Sequence, residues 1–448
     1  VWYSRKYKIK HYINGLSSNI YGGGQNYKKA VDSQLKVGST KVTINGKDTA
    51  LAEVYGGSII SGTGNKGTAV TGKTDVTIND GKIVDYVVGG NNTNWNGYSV
   101  VGIEDKNGKK YKNGQTYADG STKITINGGD MSTAQIIGGS LTDYGWYYEP
   151  EDKVIHDAVV YGATNIDVNG GKLGLVVGGG KAEYYNDNPK ENNVEVYPTT
   201  SNVIGITNVN ITNGELLENI IGGGYAFSNQ DSVKSIANVT GTTNINISGG
   251  TINGDIYGGG FADGKSATAN VEGDTNITIS GGDIKGNIYA GGLTASGGTA
   301  DVTGNAVVTF LNGSTFANHV SGLIKNIVTD GISDDTKTES KSTLSFGNDK
   351  EIFDGEFKGT FSDFDILRTG KGSVVGIGEL NSNNINRDIE ITGSGRIETK
   401  INNVGGDITL SGGTLATDTI NLGDKKLTLS SKGILETKSE NIFTNALD

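Results

Sequence analysis

The sequence contains no cysteine, three prolines and one methionine among its 448 residues. Without cysteine the chain has no disulfide framework, no thiolate metal site and no thiol nucleophile. No apolar run approaches the ~18 residues that a membrane-spanning helix needs. Hydrophobic residues make up only 34% of the chain, which is low for one large globular core. We therefore expect an elongated fold with a thin core.

Charge and aromatic residues are unevenly distributed. The net charge is −11, and residues 201–448 contain 17 Lys and Arg against 29 Asp and Glu. This acidic balance argues against nucleic acid as a partner, because phosphate binding needs a basic surface. All three tryptophans and most tyrosines precede residue 200, whereas every phenylalanine follows it. The two parts of the chain are therefore expected to have different roles.

One sequence cassette occurs twice with only conservative changes. Residues 241–260 read GTTNINISGGTINGDIYGGG, and residues 273–292 read GDTNITISGGDIKGNIYAGG. The copies start roughly 32 residues apart, and a fixed period of this size is typical of stacked repeats, in which one structural unit is copied along an axis.

The cassette itself predicts β-strands. Thr243, Ile245 and Ile247 alternate with asparagines, which is the pattern of a half-buried strand. Gly-Gly pairs then mark corners, and Ile256-Tyr257 and residues 267–273 form further short strands. The sequence therefore predicts a right-handed parallel β-helix with three strands per coil, each paired with its copy in the next coil at ~4.8 Å.

The coil length changes along the chain. Residues 1–320 carry cassettes at intervals of about 32–48 residues, with segments inserted between them. Residues 321–448 have strand and glycine patterns at a spacing of about 20 residues. We expect a β-helix with inserted loops over 1–320 and a tighter β-helix stalk over 321–448, continuous with the first part.

Three early connectors are much longer than the connectors of the regular coils. They span residues 91–119, 140–153 and 181–199, and all three follow the same glycine corner. We expect them to emerge side by side from one edge and to fold back onto Val88, Ile137 and Val177. Loops on a rigid scaffold are frequent sites of binding.

These connectors are rich in tyrosine, tryptophan and lysine. Tyrosine and tryptophan offer large, stiff contact areas with a polar end. An alternative is that the aromatic residues only pack on one another, and the two roles are compatible. The candidate partner-binding residues are Trp95, Tyr98, Lys106, Lys109, Lys110, Tyr111, Tyr117, Tyr144, Trp146, Tyr147, Tyr148, Tyr184, Tyr185 and Tyr197.

The repeated IYGGG sequence, the absent cysteines and the inferred β-helix together resemble the passenger domains of type V autotransporters, in particular large fusobacterial adhesins. In that family the passenger crosses the outer membrane through a C-terminal β-barrel and stands on the cell as a rod. The resemblance implies a bacterial cell-surface location, with binding at the N-terminal end. The chain lacks an initiating methionine, and we expect a piece of a longer protein without its barrel.

Enzymatic interpretations find little support in the sequence. The four arginines have no nearby acid cluster of the kind that polysaccharide lyases use, and no GDSGS protease motif occurs. The acidic run Glu149 to Asp152 is a better carboxylate candidate than Asp334-Asp335, although surface charge is the favoured explanation. His11, His156 and His319 are too far apart in sequence to indicate a metal site or a triad. We expect no enzyme activity, no metal and no cofactor.

The sequence thus favours an adhesin fragment that binds a host cell-surface receptor or glycan, or the surface of another bacterium. Two alternatives remain open. One is a self-associating surface protein that joins cells through its polar Asn and Thr strand faces. The other is a β-helical polysaccharide-degrading enzyme.

Overall fold

The computed structural model describes residues 18–26, 35–60, 68–93, 97–102, 120–144, 154–185, 196–312, 314–324, 327–328, 340–430 and 432–437. These residues form 49 strands and no helix. The first sixteen strands are β1 (Asn19–Tyr21), β2 (Gly24–Asn26), β3 (Leu35–Val37), β4 (Thr40–Ile44), β5 (Ala50–Tyr55), β6 (Ser58–Ile60), β7 (Thr68–Val70), β8 (Thr74–Ile78), β9 (Lys82–Val88), β10 (Asn92–Thr93), β11 (Gly97–Val101), β12 (Thr122–Ile126), β13 (Asp130–Met131), β14 (Gln135–Ile137), β15 (Leu141–Tyr144) and β16 (Val154–Tyr161).

The middle of the chain contains the most regular coils. Its strands are β17 (Thr164–Val168), β18 (Lys172–Leu173), β19 (Val176–Val177), β20 (Lys181–Tyr184), β21 (Val196–Ile204), β22 (Thr207–Ile211), β23 (Glu215–Leu216), β24 (Ile220–Ile221), β25 (Tyr225–Ser228), β26 (Ser235–Ile236), β27 (Thr243–Ile247), β28 (Thr251–Ile252), β29 (Ile256–Tyr257), β30 (Phe261–Asp263), β31 (Ala267–Thr268), β32 (Thr275–Ile279), β33 (Asp283–Ile284), β34 (Ile288–Tyr289) and β35 (Leu293–Ala295).

The last part of the chain has fewer strands per coil. Its strands are β36 (Ala306–Phe310), β37 (His319–Ser321), β38 (Ile327–Val328), β39 (Ser342–Phe346), β40 (Asp354–Phe357), β41 (Thr360–Ser362), β42 (Ile366–Thr369), β43 (Val374–Leu380), β44 (Ile389–Gly393), β45 (Arg396–Asn402), β46 (Ile408–Leu410), β47 (Thr414–Asn421), β48 (Leu427–Leu429) and β49 (Ile434–Thr437).

The strands pair in parallel with their copies in the next coil and build five sheets. Sheet I runs from β4 to β48 and contains thirteen strands. Sheet II has fifteen strands and includes β9, β14, β19 and β24, sheet III runs from β2 to β38, sheet IV from β3 to β31, and sheet V from β40 to β49. The parallel β-helix architecture predicted from the sequence is confirmed as an all-β array of parallel sheets.

A complete coil passes through sheets I, II, III and IV in turn, one sheet more than the sequence predicted. The additional strand lies in sheet III and includes Phe261–Asp263, a segment that resembles a connector in sequence. Its inward-facing residues are alanines such as Ala182, Ala226 and Ala262, which form one buried cluster with Ala269 of the following segment. Small, weakly hydrophobic residues let sheets III and IV pack closely but give no strong strand pattern.

Coil spacing follows the strand register. Thr243 pairs with Thr275, an offset of 275 − 243 = 32, whereas Thr74 pairs with Thr122, an offset of 122 − 74 = 48. In the last coils sheets I and V alternate, and the register partner of Ile408 is Leu427, an offset of 427 − 408 = 19. Sheet I passes through both regions without interruption.

The core is one continuous stack of mostly aliphatic residues contributed by sheets I, II and IV and, in the last coils, by sheet V. Phenylalanines fill it where the four-sheet coils give way to two-sheet coils. Phe310 lies 5.2 Å from Phe357 and 6.1 Å from Phe346 between ring centroids. Seven of the ten phenylalanines of the chain belong to this aromatic cluster: Phe310, Phe316, Phe346, Phe353, Phe357, Phe361 and Phe364.

Gly-Gly corners join sheet II to sheet III, and close stacking makes glycine necessary there. A Cβ at Gly178 would lie 2.5 Å from the carbonyl oxygen of Gly222 in the next coil, far inside ordinary contact. The same residue is bonded across its own coil, because the Thr164 hydroxyl donates a 2.6 Å hydrogen bond to the carbonyl of Gly178. The other donors of this threonine ladder are Thr40, Thr74, Thr122, Thr207, Thr243 and Thr275.

Replacing Thr164 by valine tests the contribution of this ladder. Valine keeps the shape but leaves the buried Gly178 carbonyl without its partner, and we expect the free energy of unfolding to fall by about 1–3 kcal/mol. Urea denaturation measures the loss, and hydrogen exchange at the neighbouring strands β17 and β19 locates it. Thr164→Ser retains the hydroxyl and should be much less destabilising; equal losses in both variants would contradict the hydrogen-bond explanation.

Candidate functional site

The Gly-Gly corners create a second apolar stack outside the main core. Val87, Ile136 and Val176 point into the core, so their successors Val88 and Ile137 point to the opposite face. There they pack with Tyr55 and Leu141, and partly with Tyr86, in a separate cluster. We call the surface formed by these outward side chains of sheet II and the outward side chains of sheet III the corner face.

The corner face continues along the following coils. Val177 and Ile221 pack with Leu175 and Tyr257, against Tyr225, Phe261 and other partly buried residues. The predicted burial of Val88, Ile137 and Val177 is confirmed, because all three are fully inaccessible. Among the described residues, however, the cover comes from sheet III and neighbouring coils. The proposed folding back of the long connectors concerns segments that lie outside the described residues.

Aromatic rings stack along this face at the coil repeat. The rings of Tyr257 and Tyr289 are 4.9 Å apart and nearly parallel, and those of Tyr21 and Tyr55 are 5.2 Å apart. Tyr225 and Phe261 contact each other at 5.0 Å. Such stacking holds the rings rigidly, which limits the entropy that a ligand would lose on binding them.

Lys181 occupies an apolar position of the corner face. Its register partners are Leu141 in the preceding coil and Tyr225 in the following one, yet its residue surface is only 2% exposed. The ammonium group lies 5.6 Å from the ring centre of Tyr86 and 5.2 Å from that of Tyr225, a cation–π arrangement. It also forms an ion pair with Glu183.

Two carboxylates are paired next to Lys181. Asp143 and Glu183 are register partners on β15 and β20. Burial, and secondarily the charge of Glu183, raise the pKa of Asp143 to about 6. Burial also raises the pKa of Glu53, with smaller contributions from Asp85 and Asp143. The site therefore combines a carboxyl that can hold a proton near neutral pH with a buried cation and tyrosine rings.

Most residues predicted as binding residues lie outside the described part of the structure. Tyr98, Tyr144 and Tyr197 fall within β11, β15 and β21, but their side chains are not described. Tyr184 is buried in β20, which fits the packing alternative. Tyr185 is 36% exposed, and its ring stacks on Phe227 at 6.4 Å. The remaining predicted residues outside the description are Trp95, Lys106, Lys109, Lys110, Tyr111, Tyr117, Trp146, Tyr147 and Tyr148.

The three long connectors begin at the same glycine corner, since Asn92 pairs with Leu141 and Leu141 with Lys181, but the prediction that all three emerge side by side from one edge is wrong. Residues 91–119 include strands β10 and β11 of sheets III and IV, and their longest insertion, 103–119, joins sheet IV to sheet I. Segments 145–153 and 186–195 instead join sheet III to sheet IV. The sequence misled because β10 consists of only two polar residues, Asn92–Thr93, which do not show a strand pattern. Only the latter two segments connect strands of the same two sheets in consecutive coils.

Sequence reasoning also missed Asp143, Glu183 and Lys181 as a group. They lie in two successive coils that are distant along the chain, and only the strand register brings them together. A signal was present, since aligning the coils on their glycine corners places the charged Lys181 between Leu141 and Tyr225 in one column.

His319, by contrast, contacts a serine that the sequence did not link to it. The Ser362 hydroxyl lies 3.2 Å from Nε2 of His319 and donates a 2.5 Å hydrogen bond to Asp363. Nδ1 of His319 lies 3.0 Å from the Thr360 hydroxyl. In a hydrolytic triad the carboxylate orients the imidazole, whereas Asp363 bonds the serine, so this cluster does not reproduce the triad order.

Comparison with known proteins identifies no relative of this chain. No protein-family model matches the chain, and neither a curated protein nor a solved structure is detectably similar to it. Within the described ranges no helix is long and apolar enough to cross a membrane. Function must therefore be argued from the geometry.

The raised pKa of Asp143 predicts a specific pH dependence. The side chain of an aspartate in an unfolded chain has a pKa of ~3.9. Between about pH 4 and 6 the folded state therefore binds more protons at Asp143 than the unfolded state does. The free energy of unfolding consequently falls as pH rises. Asp143→Asn should remove this dependence and raise the free energy of unfolding at pH 7 by about 1–3 kcal/mol. Urea denaturation at pH 4.5, 5.5 and 7 measures the difference.

Asp48→Asn, at an exposed carboxyl of the turn between β4 and β5, serves as the control for loss of charge. It should leave the wild-type slope with pH in place. A wild-type slope retained in Asp143→Asn would show that this carboxyl is not buried as described.

Proposed function

We propose that this chain is part of a bacterial cell-surface adhesin, in which the N-terminal coils bind a surface protein or glycan and the later coils act as a spacer. The observation that carries this proposal is the register of β15 with β20, in which Asp143 pairs with Glu183. The ends of these two strands therefore lie one strand spacing apart, about 4.8 Å, and segments 145–153 and 186–195 follow them in the sequence. Trp146, Tyr147 and Tyr148 belong to the first segment.

The described residues around these segments are suited to support a binding surface. Tyr185 immediately precedes the second segment and exposes its ring on Phe227. The corner face beside them is rigid, aromatic and acidic. Binding residues held by a rigid scaffold lose less entropy when a partner docks, and tyrosine and tryptophan are enriched in the centres of interfaces.

Exchange of one segment tests this proposal directly. Replacing residues 145–153 by a Gly-Ser segment of equal length should reduce attachment of the purified protein to host or bacterial cells by about tenfold or more, as expected for loss of an aromatic anchor. Attachment is measured with fluorescent beads that carry the protein. The matched control replaces 331–339, a segment of the same length, and should bind like the wild type. Full attachment by the 145–153 variant would contradict the proposal.

Self-association through the Asn and Thr face is the first alternative. On the outer face of sheet I the amide of Asn208 donates to Asn165 at 2.9 Å, and Asn244 donates to Asn208 at 3.0 Å. Because these amides already bond along the rod, they have less hydrogen-bonding capacity for a second copy. If beads carrying the 145–153 variant still aggregate with one another, self-association becomes the better explanation.

Carbohydrate cleavage is a second candidate, favoured by the pairing of Asp143 with Glu183. Retaining glycosidases use two carboxyls about 5–5.5 Å apart, one protonated near neutral pH and one ionised. Adjacent parallel strands are about 4.8 Å apart, and Asp143 has a pKa of about 6. Asp143 would donate a proton to the leaving oxygen, and Glu183 would attack the sugar carbon.

Amide substitutions separate cleavage from binding. If the chain cleaves a polysaccharide, Asp143→Asn and Glu183→Gln should each lower reducing-sugar release by about 100-fold or more. Asp263→Asn is the control, since Asp263 lies in the same row two coils after Glu183 but pairs with Phe227 rather than with a carboxylate. Reducing-sugar release by the wild type that persists in both amide variants excludes this pair as the catalytic groups.

A further inference from the structure

A broad concavity lies on the outer face of sheet I, far along the chain from the corner face coils discussed above. Its volume is about 860 Å³, and its floor extends from Thr309 on β36 across Thr343 and Arg368 to Thr392 on β44. Lys432 and Ile434, at the start of the last strand, form its far wall. Pockets of about 300–1,000 Å³ hold small organic ligands.

The charge of this lining is opposite to that of its surroundings. Residues 201–448 are strongly acidic, yet the lining contains Arg368 and Lys432 and no aspartate or glutamate. Arg368 pairs at 3.1 Å with Asp349, which is itself 86% exposed. No ion pair between Lys432 and a described residue is present, and its side chain is exposed. The nearby carboxylate of Glu390 accepts a hydrogen bond from Ser411 of the lining.

Several hydroxyl groups in the lining have hydrogen-bonding capacity to spare. Thr309, Thr343 and Thr392 are half-buried, and their hydroxyls make no hydrogen bond to another described residue. Gly393 lines the concavity without a side chain. Its φ of +105° is one that residues with a Cβ atom disfavour. The surface therefore offers hydroxyl donors and acceptors, with the Arg368 guanidinium on its floor and the Lys432 ammonium at its far wall.

We propose that this concavity binds a short acidic oligosaccharide of two or three sugar units that carry carboxylates. Threonine hydroxyls match the alternating donors and acceptors of sugar hydroxyls, and Arg368 can bind a carboxylate with two parallel N–H donors. A peptide fits less well, because no described sheet edge runs along the floor for strand addition. The last coils then have a binding function of their own, independent of the proposed adhesion through the N-terminal coils.

Trigalacturonic acid is the probe, and its methyl ester is the matched neutral control. Isothermal titration of the full chain should show binding of the acid and binding at least about tenfold weaker for the ester, since esterification removes each carboxylate charge and adds only a methyl group. Triglutamate tests the alternative of a general anion site. Equal binding of acid and ester, binding of triglutamate as strong as that of the sugar, or no binding of the acid would each overturn the proposal.

Variants locate the binding to this surface. Arg368→Gln and Lys432→Gln should each weaken binding of the acid by about tenfold, and Thr392→Val by about threefold. Lys400→Gln removes a cation from sheet V outside the concavity and should change affinity by less than about twofold. Unfolding midpoints in urea show whether each variant remains folded. Weakening by Lys400→Gln equal to that by Lys432→Gln would contradict the assignment.

Discussion

Stacking of coils with glycine corners is the constraint on which the rest of this structure depends. Parallel strands must keep a spacing of about 4.8 Å, and a Cβ at Gly178 would meet the next corner at 2.5 Å. The glycine corner places the carbonyl group of Gly178 in the interior, where a polar group without a hydrogen-bond partner is costly. The Thr164 hydroxyl satisfies that carbonyl. Glycine and threonine are therefore coupled, and together they set the turn that forms the corner face.

Inserted segments leave this stacking unchanged. Thr74 and Thr122 pair in the same register as Thr243 and Thr275, although the coil that begins at Thr74 is much longer than the one that begins at Thr243. In a solenoid each coil is stabilised by its immediate neighbours, so extra residues that leave at a turn do not disturb the strands beside them. This property explains how the N-terminal coils carry long segments while the continuous sheet I retains its pairing.

The sequence predicted the sheets whose residues alternate strongly, such as Thr243, Ile245 and Ile247, and the glycine corners between them. It could not predict sheet III, where alanines such as Ala226 face inward and polar or aromatic residues face outward. The region of the candidate site was also predictable from its aromatic content. The pairing of Asp143 with Glu183 was not, because it depends on the register between strands of two different coils.

The stability of the fold does not account for Lys181. Leucine and tyrosine occupy its position in the adjacent coils, so an apolar side chain fits there. Burying an ion pair costs desolvation that its attraction often fails to recover, and apolar replacements are frequently neutral or stabilising. Lys181 lies between the rings of Tyr86 and Tyr225, with Glu183 as its ion-pair partner. Its position is therefore explained better by the proposed binding chemistry of the corner face than by a contribution to stability.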